Sequence, residues 1–122
     1  MTRLLASACV SFAALEHAGF LVLEMFFWTK PLGLRIFRLT PDMARISSAL
    51  AFNQGLYNGF LAAGLLWGLL ASDPATALSV KTFFLVCVVV AGAVGAATVS
   101  PRIFWVQAVP ALLALALVRL AR

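Results

Sequence analysis

The chain has 122 residues, 64% hydrophobic and 11% charged, whereas a water-soluble domain carries about a quarter charged residues, so this one cannot cover a surface facing water. Its length allows one domain, and with about 20 apolar residues per crossing of a roughly 30 Å hydrocarbon core it suffices for four spanning helices and short loops. The net charge of +5 comes from basic residues near helix ends, a pattern of lipid headgroup contact that offers nucleic acid no dense basic patch.

The expected fold is therefore all-α: a polytopic membrane protein, a four-transmembrane-helix bundle. A single integral membrane domain takes up the whole chain, with helices over about residues 4–28, 41–70, 74–98 and 101–120. The first helix begins after Arg3 in a run that imitates a secretory leader. The run continues through Leu15 to Trp28, which is too long for a cleaved leader, so it reads as a retained span. Trp28 suits the interfacial aromatic belt, and Pro31 and Gly33 end the helix. Between Lys30 and Pro41, Leu34, Ile36, Phe37 and Leu39 interleave with Arg35 and Arg38. This is either a stretch lying on the membrane surface or a simple basic loop.

Three later helix starts share one device. Thr40-Pro41, Asp73-Pro74 and Ser100-Pro101 each place a capping side chain before a proline. The cap oxygen accepts an orphan backbone N–H, and proline suits the first helical position. The second helix, about 45 Å long, exceeds the hydrocarbon core, so its first turns project or it tilts. The third is rich in small residues for tight packing: Ala91, Gly92, Ala93, Gly95, Ala96 and Ala97. Pro110 falls inside the fourth and should kink it. Lys30, Arg35, Arg38, Arg45 and Arg102 lie on one side, and Arg3, Lys81, Arg119 and Arg122 on the other. This slight excess places loops one and three in the cytoplasm and both termini outside. The expected location is the cell inner membrane, multi-pass.

The acids single out the chemistry. Asp42 and Asp73 lie at helix starts, where negative charge is favourable. Glu16 and Glu24 lie inside the first helix with His17, the only histidine. Each ionisable group in a bilayer costs roughly 2.5–3.5 kcal/mol on insertion scales, so such groups face the interior or a partner and are functional candidates. His17 and Glu24 are seven residues apart; they share a face within about 20° and lie about 10 Å apart along the axis. Glu16 points about 100° away, toward a subunit contact or a buried pairing with Arg45 or Tyr57.

The second helix adds Asn53, Gln54, Tyr57 and Asn58 over an arc of about 140°, with Gly55 and Gly59 on the other flank. That GxxxG spacing permits close helix contact. Counted inward from Trp28 and Arg45, Glu24 lies about 6 Å deep, His17 about 16 Å, Asn53 about 12 Å and Tyr57 about 18 Å. Gln107 lies about 8 Å from Arg102. These levels overlap, so one polar pocket opening toward loops one and three is expected. It is built from His17, Glu24, Asn53, Gln54, Tyr57, Asn58 and Gln107, with Thr98 and Ser100 near its mouth.

The plainer alternatives are a hydrogen-bonded structural pair for His17 and Glu24, and interhelical glue for the amide cluster. A metal site is not expected, because one histidine and two distant carboxylates make a poor ligand set. Cys9 and Cys87 lie in apolar runs without ligand spacing and read as small buried hydrophobes. Neither cysteine has an evident base, and no phosphate loop is present. No catalytic residue and no cofactor is assigned.

The run Asn53-Gln54-Gly55-Leu56-Tyr57-Asn58-Gly59-Phe60-Leu61-Ala62-Ala63-Gly64-Leu65 resembles a known family. So do Leu23-Glu24-Met25 with Trp28, Pro31 and Gly33; Ala91-Gly92; Gly95-Ala96-Ala97-Thr98-Val99; and Gln107 with Pro110-Ala111. Over nearly the whole chain these look like the bacterial membrane family filed as domain of unknown function 1304. The resemblance implies a small integral membrane protein and supplies no reaction.

The leading expectation is binding, and transport, of a small polar or amphipathic molecule in the half-membrane pocket. His17 and Glu24 would change protonation or hold the ligand, while the amides and Tyr57 exchange hydrogen bonds with it. A second reading is a membrane enzyme using a His/Glu acid–base pair on a lipid-soluble substrate. A third is an accessory subunit of a membrane complex. The expected partners are membrane lipids, a small-molecule ligand and further copies of the chain as a homo-oligomer.

Overall fold

A computed structural model describes residues 1–121. The protein is all-α, 88% helical, with no strand among the described residues. In chain order come α1 (Thr2–Phe26), α2 (Pro31–Phe37), α3 (Pro41–Leu70), α4 (Pro74–Thr98), a π-helical segment (Phe104–Ala108) and α5 (Val109–Leu120). Of these, α1 and α4 are both long and apolar enough to cross a membrane.

Prolines punctuate the chain through the residue before them, which steric clash pushes into extended backbone. Lys30 (φ −89°, ψ 160°) precedes Pro31, and Asp73 (φ −77°, ψ 121°) precedes Pro74. Here the structure corrects one expectation. Pro31 and Gly33 do not merely end the first helix; Pro31 opens α2 and Gly33 is buried inside it. Proline lacks an N–H that the first turn would leave orphaned anyway. Gly33 is required for space: an added Cβ would collide with the backbone carbonyl of Phe27. Arg38 closes α2 in the left-handed region (φ 55°), and Leu39 N–H donates to the Leu34 carbonyl at 3.0 Å.

The capping pairs differ in how they act. Thr40 Oγ1 accepts from Met43 N–H at 3.3 Å, and Asp73 Oδ2 accepts from both Thr76 N–H and Thr76 Oγ1 at 2.7 Å. Those donated bonds hold the Asp73 carboxyl below the usual aspartate range. Ser100 instead uses its backbone carbonyl, which accepts from Ile103 N–H at 3.0 Å. The last helix accommodates Pro110 through the π turn directly before it. A proline ring crowds the carbonyl four residues earlier and offers it no N–H, and a widened turn relieves both problems.

The chain forms two compact units, Met1–Leu15 with Leu61–Arg122, and Glu16–Phe60. In the first unit, Leu65, Leu85, Val88 and Val10 are fully buried with Ala13, Ala111 and Ala114. Glycines bring its helices close: a Cβ on Gly92 would stand 2.9 Å from the Ala108 Cβ, and one on Gly95 2.9 Å from Ile103 Cγ2. Such close van der Waals packing holds them together. The Arg3 Nε donates to the Ala121 carbonyl at 3.3 Å, bringing the start of α1 to the end of α5. The second unit holds the polar residues of interest.

Candidate functional site

Within residues 16–60 the site rests on the contact between the second half of α1 and the first half of α3. The face α3 turns inward is spaced at three and four residues: Ala44, Ala51, Gly55 and Asn58 are all buried. Glycine makes the approach tight. A Cβ on Gly55 would stand 2.7 Å from Met25 Cγ, 3.1 Å from Glu24 Cβ and 3.2 Å from the Leu21 carbonyl. Gly59 meets the Leu21 side chain in the same way. The GxxxG pair is thus a seat for α1.

That seat sets the central polar contact. Asn58 Nδ2 donates to Glu24 Oε2 at 2.7 Å, and both side chains are buried. The bond is short because the acceptor is a carboxylate oxygen. A second bridge fixes the mouth of this helix pair. Trp28 Nε1 donates to Ser47 Oγ at 3.0 Å, and Ser47 Oγ in turn donates to the Met43 carbonyl at 2.6 Å. The Trp28 ring also packs against Phe37 of α2, tilted by 44° with centroids 4.7 Å apart.

Between these two bridges lies an open cleft of about 590 Å³. Glu24, Thr29, Ser48 and Asn53 form its polar lining; Met25, Phe26, Trp28 and Phe52 form the apolar part. Among the described residues no lysine, arginine or histidine lines it. The arrangement provides a carboxylate, an amide and two hydroxyls beside three aromatic rings.

The structure distributes the sequence-derived residues unevenly. Glu24 and Asn58 are bonded, and Glu24 and Asn53 share the cleft. His17 is fully buried, with Phe20 edge-on to its ring at 5.7 Å, and it does not line the cleft. Gln54 and Tyr57 lie exposed on the other side of α3 and do not line it either; the Tyr57 ring sits 6.2 Å from that of Phe60. Gln107, half-buried in the π-helical segment, belongs to the other unit.

For Glu16, pairing with Arg45 is not found: Arg45 reaches Asp42 at 3.3 Å on an exposed surface. One turn along α3 favours that local pair over a distant carboxylate. Glu16 Oε2 is shut away from solvent with no hydrogen-bond partner among the described residues. Among the described residues no group of three or more His, Cys, Asp or Glu side chains is placed to hold a metal ion.

Sequence reasoning missed Ser47, Ser48, Thr29 and Phe52. A signal existed for the first: Ser47 joins Ala44, Ala51, Gly55 and Asn58 on one helical stripe. Nothing in the sequence marks Phe52 among ten phenylalanines.

Residues 11–119 match the family model described as Protein of unknown function (DUF1304). No curated protein and no solved structure matches the chain.

Proposed function

The chain belongs to the DUF1304 family, and from that premise we propose that it is a multi-pass protein of the cell inner membrane that binds, and moves, a small polar or amphipathic molecule. It crosses the bilayer four times. Supporting this, α1 and α4 are apolar and 25 residues long, α3 has 30 residues, about 45 Å, and the apolar stretch Phe104–Leu120 follows. The Arg3–Ala121 bond brings both ends of the chain together, as an even number of crossings requires.

The observation that carries the binding reading is the buried Glu24 held by Asn58 at the wall of an open cleft. A carboxylate inside a bilayer is costly, and a purely structural role would not need it to face a cavity. Burial of His17 away from the cleft lining favours binding over acid–base catalysis. Native mass spectrometry of the full chain released from mild detergent tests the reading. The wild type should retain a small-molecule mass that Glu24→Gln loses; identical spectra would remove the basis for the site.

A second copy of the chain is the proposed protein partner. Gln54 and Tyr57 are exposed on α3, and lipid offers them no hydrogen bonds. A two-fold arrangement lets each amide donate to and accept from its mate. The same spectra should show a dimer that Gln54→Leu weakens; a strictly monomeric wild type would contradict it.

A further inference from the structure

We infer that the cleft beside Glu24 takes an amphipathic organic cation, a substituted ammonium or phosphonium group attached to an apolar body. This deepens the binding reading and rests on it. The reasoning begins with charge. Among the described residues Glu24 is the only ionisable side chain lining the cleft, and no basic one lines it. Asn58 is a neutral donor and engages one carboxylate oxygen, Oε2. It solvates the charge without cancelling it.

The ionised carboxylate calls for a positive complement, since an uncompensated buried charge is far costlier than a paired one. A neutral ligand cannot supply that charge, and an anion would be repelled. The surroundings describe the rest of the molecule. Phe26, Trp28 and Phe52 bring three aromatic rings to the same cavity as the carboxylate. Aromatic faces attract cations and accept apolar groups equally well. They suit a cation whose charge is shielded by carbon better than a small, strongly hydrated ion. Thr29, Ser48 and Asn53 keep part of the lining polar, which matches a ligand with a charged end and an apolar end. Trp28, fixed by its bond to Ser47, does not need to be ordered on binding.

The test compares two ions of nearly the same size and apolarity but opposite charge. Purified full-length protein in a non-ionic maltoside detergent is titrated calorimetrically with tetraphenylphosphonium and with tetraphenylborate. The phosphonium should bind saturably and the borate at least about tenfold more weakly. Glu24→Gln, which keeps an oxygen for Asn58, should weaken the phosphonium about tenfold or more while leaving the helical spectrum unchanged. Phe52→Ala, at a half-exposed position, should weaken it several-fold.

Competition by short-chain phosphatidylethanolamine, but not phosphatidylglycerol, would assign the cation to a lipid headgroup. Absence of competition would assign it to a free solute. Either supports the inference. Equal binding of the two ions, or unchanged phosphonium affinity in Glu24→Gln, would overturn the cation class while leaving the cleft a binding site, provided Phe52→Ala still weakens binding. No saturable binding of either ion would overturn the binding reading itself.

Discussion

Asn58 donates one amide hydrogen to a carboxylate 34 positions earlier in the chain, and that single bond distinguishes it from its three polar neighbours on α3. Interhelical hydrogen bonds in membranes are worth about 0.6 kcal/mol on average and about 1.7 at most. Asn58→Leu should therefore destabilise the protein by about 0.6–1.7 kcal/mol, measured by controlled unfolding in mixed micelles; Asn53→Leu, at an exposed position, should cost less. Asp73 gives a pH signature at the edge of the protein. Its folded carboxyl titrates below the usual aspartate range because Thr76 donates to it. The unfolded chain binds that proton first, so the cap's contribution is present above the ordinary aspartate value and lost as the pH falls through the lowered one. The protection of the Thr76 amide, taken relative to its intrinsic exchange rate at each pH, should fall in acid, and Asp73→Ala should show low protection already at neutral pH. Glu24 could be picked out from the sequence because a membrane carboxylate is expensive anywhere in a span. Its partner could not, because four neighbouring polar residues all passed the same test.

At the scale of elements, glycine decides how closely helices approach. The Cβ of Gly55→Ala would face a flexible Met25 tip at 2.7 Å but also the Leu21 carbonyl at 3.2 Å. Alanine should be tolerated with small shifts, whereas Gly55→Leu should part α1 from α3 and break the Glu24–Asn58 bond. A Glu24–Asn58 cysteine cross-link that forms in the parent and fails in Gly55→Leu would show this. Gly33→Ala meets a backbone carbonyl rather than a side-chain tip, so it should lower stability by about 1–3 kcal/mol through overpacking. Helix starts at Pro41 and Pro74 were readable because proline acts locally on φ and on the residue before it. At Pro31 the same local rule is masked in the sequence by a basic, turn-like stretch that conceals the seven-residue α2. Pro110 marks a disturbance of the last helix in the sequence; the π turn at Phe104–Ala108 depends on how neighbouring turns share the missing hydrogen bond.

For the molecule as a whole, the four-span reading makes a topological prediction. With Cys9 and Cys87 replaced by alanine, single cysteines at Ser72 and at the two ends should react with a membrane-impermeant thiol reagent from one side. Cysteines at Thr29 and Ser100 should react from the other. Labelling of Ser72 and Thr29 from the same side would exclude four crossings. From the basic-residue bias, the termini and Ser72 are expected to label from outside. Composition, length and proline spacing by themselves determined that the chain is helical and where most helices begin, because those properties follow from short-range sterics and from the scarcity of charge. Which polar residues meet was decided only by tertiary structure. A lipid-facing surface can be as apolar as a core, so the amphipathic stripe that marks the inner face of a soluble helix is missing here. The choice of Asn58 over Gln54 and Tyr57 came from Gly55 and Gly59 admitting α1 on one flank of α3.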